Sequence, residues 1–304
     1  MIHVRSWTRA FEDDGRDGRV PGYAHCSLVG RSTGTVHTDL GLARLSAGAR
    51  TPRHVHSFEQ CAYVLEGEPV VDVGDRSYQL APGDYVFFPV GTPHAWSVTP
   101  GGDALWLELG SPAAAGRPED TIVTAEQPGP AAAAARPPFG DPMLRHLGHF
   151  AGTDSQAEAL ALRDPARGRA PAGMDTALLA YSGISVKMMV DPGLGADLCT
   201  MFMVDYEPGG AAQVHDHPFE EAYVFLQGEI EGEIDGETRT FRAGEVLFCG
   251  VGTLHGFFNT SGGHVRWIET QAPQPPRRHS YRWPAHWASL ARQGRDPSSQ
   301  PGDP

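Results

Sequence analysis

VHDHPFEEAYVFLQG, residues 214–228, sets two histidines one residue apart, two glutamates close behind them, and an apolar run that stops at a glycine. Such a stretch reads either as an ordinary strand with a polar rim or as part of a metal site. A second copy decides between them. PRHVHSFEQCAYVLEG (52–67) aligns without gaps on QVHDHPFEEAYVFLQG (213–228) after a shift of 161 residues. His54 falls on His215, His56 on His217, Gln60 on Glu221 and Gly67 on Gly228. The same shift lays APGDYVFFPVGTPHAW (81–96) on RAGEVLFCGVGTLHGF (242–257), with His94 on His255. In each copy the second histidine of the pair stands 38 residues before the lone one. One shift shared by so many polar and glycine positions implies two similar domains.

Each unit reads as β. AYVLEG and AYVFLQG are β-branched and aromatic runs closed by glycine. EIEGEIDGETRTF alternates apolar and polar residues around Asp235-Gly236, a hairpin turn, and VVDVGDRSYQL offers Gly74-Asp75 at the matching place. The 37 Gly and 26 Pro of the 304 residues favour short strands and many turns over long helices. Between the units, SPAAAGRPED (111–120) and EQPGPAAAAARPPFGDP (126–142) read as linker. DSQAEALALRD (154–164) and WPAHWASLARQ (283–293) are short helix candidates, and the tail GRDPSSQPGDP is expected to be disordered.

Composition narrows the function. A chain 40% hydrophobic can bury a sizeable core. A formal net charge of −13 argues against nucleic acid or an anionic membrane as partner. The first fifteen residues, MIHVRSWTRAFEDDG, lack the apolar stretch of a secretion signal, and no apolar run approaches bilayer length. Cys26, Cys61, Cys199 and Cys249 lie far apart with no CxxC pair. They read as reduced, buried thiols, and a cytoplasmic location is expected.

Side chains two apart on a strand share a face, so His215 and His217 point one way, as do Glu221, Tyr223 and Phe225. An HxH pair, a carboxylate from the neighbouring strand and a histidine returning from a distant one can converge on one point. Neutral imidazole suits first-row divalent metals, and a carboxylate adds charge. Three histidines and a glutamate leave open positions on a six-coordinate ion, which a catalytic metal needs. A single histidine is more often a surface or core residue. The whole set, His215, His217, Glu221 and His255 together with His54, His56, Gln60 and His94, points to metal. Tyr223, Phe225, Phe257 and Trp96 lie in register with these ligands and are candidates either for a pocket wall or for plain core. Arg44, Arg53 and Lys187 are candidates to hold an acidic substrate or, equally, solvated charges on a sheet.

These residues resemble the two motifs of the cupin family: Gly209–His215–His217–Glu221–Gly228, then Gly244–Gly250–Gly252–His255–Asn259, with Gly250 where the motif has proline. The first copy has Gly48, His54, His56, Gln60 and Gly67, then Gly83, Pro89, Gly91 and His94, ending on Val98 in place of Asn. The resemblance implies an all-β fold of two tandem cupin jelly-roll barrels, with short helices in the linker and at the C-terminus. The barrels are expected at 20–112 and 179–275, with a linker at 113–178 and a helix and tail at 276–304. It also implies one divalent first-row metal per occupied barrel: Fe(II) first, with Mn(II), Ni(II), Cu(II) or Zn(II) as alternatives. Gln60 stands where the family has glutamate, so the first site has a neutral oxygen donor, and the complete ligand set makes the C-terminal barrel the expected seat of catalysis. Glu59 is out of register and expected to face away.

The expected activity is that of a mononuclear non-heme metal dioxygenase on a small organic acid or phenol-like metabolite, with Glu221 as ligand or base. The layout, and the stretch MMVDPGLGADLCTMFMVDYEPGG, also resemble the (S)-ureidoglycine aminohydrolases, Mn-dependent bicupins that act on C–N bonds. An oxalate-decarboxylase-like lyase and a non-enzymatic metabolite-binding cupin are the other readings. The expected partner is a small-molecule substrate, with a homodimer as a family-based possibility.

Overall fold

The computed structural model describes residues 2–8, 20–114, 121–124, 134–139, 146–152 and 182–275. Both helix candidates, 154–164 and 283–293, and the C-terminal tail lie outside these residues. Among the described residues the fold is all-β, with two three-residue 3₁₀ turns at Arg31–Thr33 and Pro192–Leu194. Within the same residues no helix is long and apolar enough to cross a membrane.

Each unit is a pair of antiparallel sheets. In the N-terminal barrel a six-stranded sheet runs Leu147–His149, Asp84–Phe88, Glu59–Glu66, Ala104–Ser111, Asp39–Leu45, Tyr23–Val29. Its opposing sheet runs Thr121–Val123, His54–His56, His94–Ser97, Val70–Val73, Arg76–Gln79. The C-terminal barrel repeats the order: Ile2–Ser6, Glu245–Cys249, Glu220–Gln227, Val265–Ala272, Thr200–Tyr206, Ile184–Val190, faced by Ala211–His215, His255–Phe258, Glu229–Ile234, Glu237–Arg242. The hairpin turns fall where the turn residues place them. Asp235 and Gly236 both take positive φ between Glu229–Ile234 and Glu237–Arg242, the two-residue geometry that matches strand twist.

The alternation of each central strand separates two cores. In Glu220–Gln227, Tyr223 and Phe225 face the barrel interior with Phe241, Phe257 and Trp267, while Ala222 and Val224 face outward. In Glu59–Glu66, Ala62 and Val64 face inward with Trp96 and Trp106, while Cys61 and Tyr63 face outward. The outward faces are not wet. Leu40, Leu42, Cys61, Phe87, Leu107 and Leu109 of the first barrel share one buried cluster with Met201, Met203, Ala222, Val224, Phe248 and Ile268 of the second. A sheet apolar on both faces must be covered on both, and here each six-stranded sheet covers the other.

Polar ties fix this junction. The Glu59 carboxylate accepts the amides of Asp197 and Leu198 at 2.8 and 2.9 Å. The Glu220 carboxylate accepts those of Val36, His37 and Thr38 at 2.8, 3.0 and 2.9 Å. Glu59 therefore does face away from its own barrel, and it has a partner there.

Leading segments cross over as well. Ile2–Ser6 precedes the first unit yet pairs with Glu245–Cys249 of the second. Leu147–His149 precedes the second unit yet pairs with Asp84–Phe88 of the first. Within the stretch expected to be linker, Thr121–Val123 also pairs with His54–His56. All four cysteines are free and buried.

Candidate metal centres

The two histidine triads close up inside the two barrels. In the first, His54 and His56 lie at either end of one short strand, and His94 opens the strand beside it, paired with His54. Ring centroids are 4.8, 4.4 and 5.1 Å apart. In the second, His215 ends its strand opposite His255 and His217 follows in the turn, at 4.8, 4.5 and 5.2 Å. Within each triad one nitrogen from every ring lies within 4.8 Å of the others.

The backbone sets the tautomers. Nδ1 of His54, His94, His215 and His255 lies 2.8, 2.9, 2.6 and 2.9 Å from the carbonyls of Pro52, Thr92, Gln213 and Thr253. A carbonyl only accepts, so Nδ1 carries the proton and the lone pair of a neutral ring is on Nε2. Each of these carbonyls lies two residues before its histidine, which makes the brace part of the local chain. His56 uses the Thr121 hydroxyl, 3.0 Å from its Nδ1. Metal-binding histidines are commonly braced through the second nitrogen. Phe58 and Phe219 stack on His56 and His217 at 4.5 and 4.6 Å.

The electrostatics favour neutral, ligand-ready rings. Burial, then the neighbouring His54, pushes the His94 pKa down to about 3. Burial, then His255 and His217, pushes that of His215 down to about 3. Burial also lowers His54. His255 moves the other way: burial works to lower its pKa, but the hydrogen bond and charge of Glu221 outweigh it.

Glu221 stands among the C-terminal rings. Its Oε1 lies 3.3 Å from His217 Nε2 and accepts Gln271 Nε2 at 2.8 Å. Its Oε2 lies 3.1 Å from His255 Nε2 and accepts the Tyr223 hydroxyl at 2.7 Å. Burial works to raise the Glu221 pKa, but His217, His255 and Tyr223 hold it well below the carboxylate range. Burial, then the Glu221 charge, raises the pKa of Glu269.

In the first barrel Gln60 holds the matching register, opposite Phe88 and Gly110 as Glu221 is opposite Cys249 and Gln271. It is 2% exposed and its Oε1 has no hydrogen-bond partner, nor has Nε2 of the fully buried His94. Two orphaned acceptors buried beside a triad fit a cation as the missing partner. The donor sets thus fit a divalent first-row ion: three imidazoles with an amide oxygen in one barrel, three imidazoles with a carboxylate in the other.

The aromatic candidates are all buried. Tyr223, Phe225 and Phe257 are interior core of the C-terminal barrel, and Tyr223 alone of these touches the cluster through a polar atom, its hydroxyl also lying 3.0 Å from His255 Nε2. Trp96 stacks on Trp106 at 4.6 Å in the N-terminal core. Asn259, the last residue of the second motif, bonds the carbonyls of Glu207 and Gly263 at 2.9 and 2.8 Å and so fastens a loop. Motif spacing does not single out Gln271 or the buried Trp–Glu pairs. Trp106 Nε1 donates to Glu108 at 2.8 Å and Trp267 Nε1 to Glu269 at 3.0 Å. The shift of 161 that relates the histidines also relates these pairs, and is the signal that finds them.

Comparison with known proteins agrees with this geometry. The Cupin domain family matches residues 41–110 and 202–270. Among solved structures, salicylate 1,2-dioxygenase from Pseudaminobacter salicylatoxidans superposes with a TM-score of 0.70 at 14% identity, over 90% of this chain and 84% of that one. Lactobacillus farciminis oxalate decarboxylase, a formate complex, does so with a TM-score of 0.61 at 17% identity, over 94% and 90%. At such identities the likeness is one of fold. The polyketide synthase CurC of Streptomyces cyaneus is 29% identical over 85 residues, 28% of this chain and 55% of that protein. The chain thus spans about half the length of that curated relative. Two matched regions, two barrels in the same strand order and two histidine sets of like spacing give one conclusion: the chain carries two cupin domains in tandem, a bicupin arrangement.

Proposed function

We propose that this bicupin is a metal-dependent enzyme, a mononuclear non-heme dioxygenase acting on a small organic acid or phenol-like metabolite, with Fe(II) as the favoured metal. One observation carries the reading: each barrel gathers three imidazoles, all buried but the half-buried His54, whose nitrogens approach within 4.8 Å, most of them braced at Nδ1 by the backbone. Neutral nitrogen donors turned inward on a rigid sheet suit a redox-capable first-row ion with positions left open. When bound, the ion supplies Lewis acidity and a redox-active centre. The chain holds the ion, fixes the ring planes through Pro52, Thr92, Gln213 and Thr253, and keeps bulk water out with its aromatic interior. The salicylate dioxygenase neighbours support the choice of reaction class and of an aromatic acid as the first substrate to try.

The test is oxygen consumption. Protein stripped with a chelator and reloaded with Fe(II) is offered salicylate, gentisate and simple hydroxy acids in an oxygen electrode. Uptake matched by product, lost on stripping and restored by metal, is expected. Turnover at full rate under nitrogen sinks the dioxygenase reading. The complete three-histidine, one-glutamate set of the C-terminal barrel supports a second reading, a lyase of the oxalate decarboxylase type. Release of CO₂ from oxalate without net oxygen consumption would move the assignment there.

A further inference from the structure

In the N-terminal triad two rings are braced by their own stretch of chain and the third from elsewhere. His54 and His94 turn Nδ1 to the carbonyls of Pro52 and Thr92, two residues back. His56 turns its Nδ1 to the hydroxyl of Thr121, 65 residues on and 3.0 Å away. Thr121 opens the three-residue strand Thr121–Val123, which lies beside His54–His56 as the outermost strand of its sheet.

The two kinds of brace differ in what they enforce. A carbonyl only accepts, so it keeps the proton on Nδ1 and leaves Nε2 its lone pair. A hydroxyl either accepts or donates. When Thr121 accepts, Nε2 of His56 is a ready ligand. When Thr121 donates, the proton of the neutral ring goes to Nε2 and closes that nitrogen to a cation. A cation held at Nε2 admits the first arrangement alone. Bound metal and an accepting Thr121 therefore favour each other.

The strand that carries this hydroxyl is lightly held. Thr121 stands opposite His56, Ile122 opposite Val55 and Val123 opposite His54. Just beyond, the Thr124 amide and hydroxyl both donate to the Arg53 carbonyl, at 2.9 and 3.1 Å. Antiparallel alternation then makes Ile122 and Val55 a hydrogen-bonded pair and Thr121 and His56 the closer kind, in which side chains meet. Ile122 and Val123 are 60% and 61% exposed, so the strand buries little apolar surface. A short edge strand secured by main-chain bonds and hydroxyls belongs to the part of a fold that opens most readily. Its one tie to the centre is therefore made and broken with the strand.

We propose that Thr121–Val123 is a latch for the N-terminal centre. Thr121 is a positioning residue for His56, and metal occupancy and latch docking stabilise one another. Whatever lifts this strand lowers the metal affinity of that barrel alone, and by reciprocity the metal holds the strand down by the same factor. The proposal rests on metal binding by the triad, as the reading above does, and not on the reaction assigned to it.

The test needs no turnover. The full chain carrying His217→Ala, in which the N-terminal triad is the intact one, is stripped of metal, kept free of oxygen and titrated with Co(II). Thr121→Val, near-isosteric and a good strand former, deletes the hydroxyl, and Thr121→Ser keeps it. Thr121→Val is expected to weaken Co(II) about 10–100-fold, the range for losing a partner that orients a ligand, with Thr121→Ser close to its parent. In the His56→Ala chain, where the C-terminal triad is intact, neither change should alter the affinity. Amide exchange across residues 121–124 is the second readout, and one that a merely structural role would not move. Co(II) should slow it in the parent and slow it less in Thr121→Val. The proposal is overturned if Thr121→Val binds Co(II) like its parent, or if Thr121→Ser loses as much as Thr121→Val. It is equally overturned if the C-terminal centre weakens alike, or if Co(II) binds and exchange at 121–124 stays the same. Those outcomes leave metal binding by the triad intact. A parent chain that takes up no Co(II) would instead overturn the metal reading, and the latch with it.

Discussion

Glu59 and Glu220, 161 residues apart, each bury a carboxylate in the other's barrel, and each caps the amides of the loop that follows a 3₁₀ turn there. Neither touches a histidine triad. Their work is to fix how the two six-stranded sheets meet, because an amide at a buried junction left without an acceptor costs free energy. Replacing either by Ala should lower stability by about 2–4 kcal/mol, the range for losing two or three charge-assisted bonds and orphaning their donors. The double variant should lose roughly the sum, since the two caps share no partner. Urea unfolding of the three variants measures this, with metal content unchanged as the control. Variants as stable as wild type would show that the apolar junction needs no caps.

Metal content should fall in steps. His56 and His217 belong to separate triads, so His56→Ala and His217→Ala should each remove one barrel's metal and leave the other's. The double variant should be empty. Elemental analysis of protein purified without oxygen counts the ions per chain. If His217→Ala emptied both barrels, the centres would be coupled through the junction and the single-site description would fail.

Much of the fold and of both centres is legible in the order of residues alone. The shift of 161 marks out the two units, both triads, and even the exchange of Gln60 for Glu221. Period-two alternation points to the strands, and Asp235-Gly236 to its hairpin. Long-range pairing is not legible. Ile2–Ser6 pairs with residues more than 200 positions away, and nothing local distinguishes it from an ordinary leading segment. Thr121–Val123 sits inside an Ala/Pro/Gly-rich stretch, where composition outweighs three β-formers. The junction of the barrels is hidden for a related reason. Cys61, Leu107 and Met201 read as half of a buried alternation, and only the packed sheets reveal what covers them. Alternation puts Tyr223 in register with the ligands, yet it says nothing of how far a hydroxyl reaches.

Without metal, the protein should lose stability as the medium is acidified from neutrality. His94 and His215 are held at about 3 when folded and return to about 6.5 when unfolded. Between those values the unfolded chain binds more protons, so stability rises with pH across about 3 to 6.5 and is flat above. His54, also lowered, adds to the slope. His255, raised by Glu221, opposes it: its contribution is complete below its unfolded pKa and is lost as pH rises through the folded one. Glu269, raised by burial and by the Glu221 charge, opposes it in the same sense. With three lowered rings against one raised ring and one raised carboxyl, the net slope should be positive. Melting of the metal-free protein at steps from pH 4 to 8 measures it, and His94→Gln should flatten the curve. A curve for that variant parallel to wild type would mean that His94 takes up its proton while folded.

Gly228 and Gly252 both stand in the second barrel's motifs and both take positive φ, 77° and 74°, so each avoids the strain a side chain meets there. They differ in surroundings. A Cβ on Gly228 would sit 2.6 Å from the His264 carbonyl oxygen, and on its counterpart Gly67 2.2 Å from that of Asp103, while a Cβ on Gly252 meets nothing within 4 Å. Backbone cannot swing aside as the tip of a side chain can. Gly252→Ala should therefore cost only the conformational strain, about 1 kcal/mol. Gly228→Ala should cost that and the displacement of a strand that carries Trp267 and Glu269 into the barrel, roughly 3 kcal/mol or more. Denaturant midpoints for the two variants at fixed metal loading decide it. Equal losses would mean that the strand beginning at Val265 yields freely, and that glycine at this point of the motif answers to backbone conformation alone.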